Sequence, residues 1–296
     1  MHSAGLRAVA DCGAWYAGLR RSALAARITA ELGNYSTAID GVAVVFTAAD
    51  LDRTLSAPAI PVATIGADAR SLRWAWATAT ERQPADMRSL ELRRTGQRLG
   101  LAELCTPTLS LRPRISADHL AETESGRETS TDHRTGVDTE CSLDAADDLA
   151  ALVGAVAVQL TGIGPFLRFP NAAGGCDVAL VDADAIPLAD PSVADFSTAL
   201  TDLATLQPGT QAESAMSSAW TQPSWAALDH RAALHGLATR LGWHTRWHAA
   251  DTMPHAETPK ADSESHQEML ACAVDDGLSQ LELRFTAAGR LSISPQ

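Results

Sequence analysis

Helices packed on curved, mostly antiparallel sheets are what this sequence predicts: an α+β fold, cystatin-like or nuclear-transport-factor-like in outline. Three patterns point to it. Residues 3–32 repeat apolar side chains at helical spacing and are followed by four β-prone segments before residue 80. Residues 71–78 alternate with strand period and hold two of the seven tryptophans of a chain that is 5% aromatic. Residues 224–296 then repeat the outline, one helical segment and up to four strands, without residue-level identity to the first set.

In chain order, Val9, Cys12, Tyr16, Leu19 and Ala23 recur at spacings of three and four, and Leu24, Ile28 and Leu32 continue on a rotated stripe. Gly33 and Asn34 supply helix-ending residues. Asp40-Gly41 between the β-prone runs 35–39 and 42–46 is a hairpin signal. Residues 59–65 form a third strand and 72–78 a fourth, whose period of two places Leu72, Trp74, Trp76 and Thr78 on one face, with Arg73, Ala75 and Ala77 on the other. Pro84 opens a helix running to Leu99-Gly100, its polar surface made by Arg88, Arg93, Arg94 and Arg98. Residues 101–107 are a tight connection.

Composition then changes. Between 116 and 148 ten acids face two arginines, with serine and threonine filling much of the rest. The part up to about Glu140 carries too little apolar surface to offset its ordering entropy and is read as a disordered insert. Ser142 is placed as a helix N-cap, followed by the stripe Leu149, Leu152, Val153, Val156 and Leu160. Gly162 to Pro165 ends it, 166–169 and 176–181 pair as strands, 194–206 is helical and 207–222 is polar linker. A helix over 225–241 leads into strands at 242–248, 268–274, 280–285 and 291–294. The expected organisation is 1–112, an acidic insert 113–142, a continuation of the first unit over 143–206, a linker 207–223 and a C-terminal unit 224–296.

A formal net charge of −13 opposes binding to a phosphate backbone or an anionic membrane, so neither a nucleic acid nor a membrane is expected as partner. The single lysine, Lys260, lies in a polar stretch, unlike a phosphate-loop or Schiff-base lysine. Five cysteines, odd in number and widely spaced, form no C-x-x-C pair and read as reduced, mostly buried thiols of a cytoplasmic protein. Arginines and Asp11 interrupt the N-terminal apolar positions, which argues against a secretory signal. The longest apolar run, 149–160, is too short to span a bilayer.

The chemical candidates are few. His230, His235, His244 and His248 form a C-terminal cluster, and His244 and His248 at i,i+4 would share a metal ion on a helix. Trp243, Thr245 and Trp247 alternate with His244, Arg246 and His248, however, which is strand periodicity. It separates the two histidines by roughly 13 Å, so the reading is solvated strand-face histidines and no metal. Asp182 and Asp184 are read as a solvated strand exit in preference to an acid–base pair. Gly162-Ile163-Gly164 lacks the third glycine of a dinucleotide fingerprint, and no cofactor is expected. Trp74 and Trp76 are the candidate ligand-binding residues, as the wall of an apolar pocket, with core packing as the competing reading.

Val62-Ala63-Thr64-Ile65-Gly66, Leu72-Arg73-Trp74-Ala75-Trp76-Ala77 and the run from Arg94-Thr95-Gly96-Gln97-Arg98 to Leu104 carry a likeness. This stretch resembles an uncharacterised bacterial family, the domain-of-unknown-function family numbered 6882, over roughly the first two-thirds of the chain. The resemblance implies a strand ending in glycine, a Trp-x-Trp-Ala strand, and a helix leading into a Gly-x-x-x-Leu turn. The helix from Leu149 and the strands around 166–181 sit where the family continues. Its members commonly carry Ala-Asn after the second tryptophan, where Ala77-Thr78 stands here. No activity comes with the resemblance.

An aromatic strand without a convergent catalytic set points to a non-catalytic cytosolic protein that binds a protein partner or a small apolar ligand. The alternative is a hydrolase or isomerase with a histidine–acid site in a cleft of the C-terminal half.

Overall fold

A computed structural model describes residues 4–50, 52–79, 84–110, 140–182, 185–205, 228–249, 268–286, 289 and 291–292. The fold is α+β, with helices packed on curved antiparallel sheets. Every strand pair is antiparallel.

Helix α1 (Ala4–Leu32) leads into the hairpin β1 (Tyr35–Asp40) and β2 (Ala43–Ala48). Asp40 pairs with Ala43, so the loop is Gly41-Val42, one residue later than Asp40-Gly41. Gly41 has φ 60°. Positive φ at the first loop residue alone is the type II′ pattern, which keeps the twist of the flanking strands and asks for glycine there.

Strand β3 (Thr54–Ile65) is longer than the expected 59–65 because it serves two partners in succession. Residues 54–58 pair with β2 and 63–65 with β4 (Ser71–Trp74). Its other edge pairs with β7 (Cys176–Val181), which also pairs with β6 (Phe166–Pro170). The β3–β7 register shifts between Pro61 and Ala63, and a bulge is where a residue without an N–H is tolerated in a sheet.

Strand β4 ends at Trp74, and Ala75–Ala77 form a 3-10 turn. The expected strand to residue 78 therefore stops early, and Trp76 does not continue the Leu72–Trp74 face. Tertiary pairing explains the stop: the Trp74 N–H donates to the Pro107 carbonyl at 3.0 Å, next to β5 (Thr108–Ser110), which closes this side of the sheet. Helix α2 (Pro84–Leu99) runs as expected, but the connection after it holds a one-turn helix, α3 (Ala102–Cys105), before β5.

The expected insert lies outside the described residues except for 140–142, which open α4 (Glu140–Thr161). The linker 207–223 lies outside them as well. Helix α5 (Val193–Thr205) matches its expectation within a residue. Helix α6 (His230–Leu241) starts later than 225, at the Asp229 cap, whose carboxylate accepts from Arg231 N and Ala232 N. Strands β8 (His244–His248), β9 (Glu268–Asp275), β10 (Gln280–Thr286) and β11 (Leu291–Ser292) make a second sheet in the order β11-β10-β9-β8. The helix-then-meander outline thus occurs twice.

Helix α1 joins these parts. It packs against α4, α5, α6 and the β1–β2 hairpin, and between Ala10 and Arg21 it is buried on nearly every side. Small residues allow this. A Cβ on Gly13 would lie 2.2 Å from the Ala155 carbonyl oxygen of α4, and one on Gly236 of α6 would lie 2.1 Å from that of Cys12. Real side chains cannot approach so closely, so both crossings depend on glycine. One continuous core runs from Val62, Leu72 and Trp74 through Trp15 and α4 to Cys272, Val274 and Phe285 of the second sheet. A second cluster joins Leu24, Ile28 and Leu32 to Val44, Phe46 and Val181.

Candidate functional site: an apolar groove and an arginine cleft

Trp74 and Trp76 lie in the core, 0% and 6% exposed. Trp74 Nε1 donates to the Glu103 carbonyl at 2.9 Å, which ties β4 to α3. The Arg93 guanidinium stands 5.0 Å from the Trp76 ring centre. Neither tryptophan lines either of the two cavities described below.

The first cavity is a groove of about 620 Å³ between α1, α5 and the segment 187–191. Its walls are mostly apolar: Leu19 and Ala23 from α1, Pro187 and Leu188 from the segment, Ala199 and Leu200 from α5, with Ser22 and Thr198 adding hydroxyls. Trp15 and Phe196 close the floor with ring centres 4.8 Å apart, and Phe196 continues to Trp243 at 6.1 Å. Arg27, Asp190 and Asp195 place charge on the rim.

The walls are fixed by polar contacts. Buried Arg20 donates through Nη1 to the carbonyls of Leu188 at 3.3 Å and Ala189 at 3.2 Å, and the same nitrogen is 3.5 Å from Asp190 Oδ1. One guanidinium thereby holds three consecutive residues of irregular backbone against α1. At the start of α5, Ser192 and Asp195 cap each other: Asp195 N donates to Ser192 Oγ, and Ser192 N and Oγ donate to Asp195 Oδ2. The bonds from the Ser192 hydroxyl and amide hold the Asp195 carboxyl below its ordinary value. Asp276, in the β9–β10 turn, accepts from Val193 N at 2.7 Å. That bond and those from Leu278 and Ser279 lower its pKa too. The second sheet thus clips the first turn of α5.

The second cavity is a polar cleft of about 790 Å³ on the outer flank of α2. It is lined by Arg88, Glu91, Arg94 and Arg98, with Leu160 and Thr161 at the end of α4 as its other wall.

The histidines do not converge. His235, His244 and His248 are exposed, with His244 and His248 on one face of β8 in strand periodicity. His230 is half-buried, its Nδ1 accepts from Leu291 N at 2.8 Å, and its ring lies 5.7 Å from Trp15. No group of three or more metal-ligating side chains occurs among the described residues. Asp184 lies outside them, so the Asp182–Asp184 pair is not described. Burial pushes the Cys12 and Cys176 thiols up, and that of Cys272 up to about 11, which disfavours the thiolate at all three. No described helix is long and apolar enough to cross a membrane.

A family model described as a family of unknown function (DUF6882) matches residues 7–184, more than half of the 296 residues. The chain belongs to this family. The match runs from α1 through β7 and so contains the first sheet with α2, α3 and α4; α5, α6 and the second sheet lie beyond it. The arginine cleft falls wholly within the matched residues, while the apolar groove straddles their end. No curated protein and no solved structure matches the chain.

Trp15 and Phe196 carry no periodic signal that marks them as a site in the sequence. Trp15 lies one position from the expected stripe at Tyr16, and Phe196 is the one aromatic residue of α5. An aromatic on each of two helices was the available signal. Their meeting depends on chain separated by about 180 residues.

Proposed function

We propose that the protein binds a small apolar ligand without transforming it, in the groove between α1 and α5. The observation that carries this is an open, apolar-walled space of about 620 Å³ floored by Trp15 and Phe196. That volume lies within the range of small-molecule sites, which combine apolar walls with a few placed polar groups. Trp74 and Trp76 then serve as core, with Trp74 holding α3, and the ligand-binding aromatic residue is Trp15.

The test is titration with N-phenyl-1-naphthylamine, a neutral dye that brightens in apolar surroundings. Wild-type protein is expected to give saturable enhancement. Ala199→Trp, which places an indole in the groove from a partly exposed position, is expected to abolish it while leaving the thermal midpoint within a few degrees. Equal saturation by both proteins would reject the groove as the site.

A further inference from the structure

The cleft on α2 has a chemistry the groove does not share. Helix α2 turns Ser89, Leu92 and Gly96 inward. Ser89 Oγ donates to the Pro61 carbonyl at 2.6 Å, at the point where β3 passes from β2 to β4. Gly96 lets α3 come so near that a Cβ there would stand 2.4 Å from Leu104 Cβ. These contacts fix the rotation of the helix and leave Arg88, Arg94 and Arg98 on its outward flank, all three exposed and all three lining the cleft. Contacts within the helix steer two of them: Arg88 Nη1 is 3.3 Å from Glu91 Oε2, and Arg98 Nη2 donates to Thr95 Oγ1 at 2.8 Å.

Three arginines to one glutamate is a local reversal of sign in a chain of formal net charge −13. Salt screens charges beyond roughly 8 Å at physiological ionic strength, so inside the cleft these guanidinium groups outweigh the distant acids. Guanidinium forks match oxyanions with paired hydrogen bonds and keep their charge at any physiological pH. The geometry points to a site for a compact ligand bearing two or more oxyanion groups, held by Arg88, Arg94 and Arg98. A nucleic acid fits poorly, because a chain of formal net charge −13 repels a long polyanion as a whole while the cleft offers it only a few cations. Phosphate esters and polycarboxylic acids share the required chemistry. The inference is independent of the apolar groove.

Isothermal titration of the full chain at low salt, with inorganic pyrophosphate and with citrate, tests it. Wild-type protein is expected to bind at least one of them, with affinity falling as salt is raised. A preference for pyrophosphate assigns the site to phosphates and a preference for citrate to polycarboxylates. The double variant Arg94→Glu/Arg98→Glu is expected to lose about tenfold or more in affinity, since each lost charge-assisted contact is among the stronger polar interactions. The milder Arg94→Gln/Arg98→Gln, checked for native circular dichroism, is expected to move the same way, and Arg246→Glu on the exposed face of β8 to leave binding unchanged. Failure of wild-type protein to bind either anion at millimolar concentration overturns the inference. So does wild-type affinity in both double variants.

Discussion

The groove beside α1 and the cleft on α2 both border the helices that cover the first sheet, yet they are built on opposite terms. The groove is apolar, floored by two aromatic rings, and its walls come from segments far apart in the chain. The cleft is arginine-lined, and six of its eight lining residues stand on a single helix. A polar surface can be written locally, because spacing along one helix places its side chains together. An apolar hollow needs walls from several elements, each anchored separately, here by Arg20 and Asp276. Substitutions at those anchors should therefore separate the two sites.

The largest effect is expected from Trp15→Ala. Removing a side chain only 1% exposed from the floor of the groove should lower stability by about 4 kcal/mol, read as the midpoint of urea unfolding. Dye binding should vanish while anion binding survives in the folded fraction. Loss of both activities together in folded protein would mean the two sites are not separable.

Gly236→Val comes next. Its Cβ would meet the Cys12 carbonyl, which is backbone and cannot swing away, so about 3 kcal/mol should be lost as α6 is forced off α1. Hydrogen exchange should rise in α6 and the second sheet before α2 and α4. Uniform exchange across the chain would contradict the layered packing.

Trp74→Phe keeps an aromatic ring but shrinks a fully buried side chain and removes the indole N–H that holds the Glu103 carbonyl, a combined loss of about 2 kcal/mol. The disturbance should reach α3 and, through the Gly96 crossing, the arginine cleft, weakening anion binding and sparing dye binding. The opposite pattern would place Trp74 at the groove.

The smallest effect is expected from Asp276→Ala. The folded protein holds this carboxyl below its ordinary value of 3.8, chiefly through the Val193 N–H. A depressed carboxylate stabilises the fold above its unfolded value and loses that contribution as pH falls through the lower folded value. The variant should be the less stable at neutral pH, and the difference should shrink as pH drops below about 4. A difference that persists at low pH would show that the loss is steric.

Elements with a local signature were legible. The helix from Pro84, the strands 166–169 and 176–181, and the strands of the second sheet fall within a few residues of expectation, because helical stripes and strand runs with glycine stops are written in neighbouring residues. The arginines of the cleft were legible as the polar face of α2, although the end of α4 as its second wall was not. Trp74 and Trp76 attracted attention by composition, and the structure places both among core residues. Trp15 and Phe196 drew none, since Trp15 lies beside the stripe that Tyr16 marks, Phe196 is the one aromatic residue of α5, and only their contact makes a floor.

The sequence by itself determined the kinds of element and their order: a long first helix ended at Gly33, a tight hairpin at Gly41, arginines on one side of α2, and a second helix-and-meander set. Only the tertiary structure decided that β3 serves β2 and β4 in turn, that β4 stops at Trp74, and that α1 is buried almost all round between Ala10 and Arg21. The reason is physical. Periodicity along a chain reports how a segment divides its own faces, whereas these outcomes rest on partners distant in sequence: Pro107 for Trp74, Ala155 for Gly13, and Gly236 for Cys12.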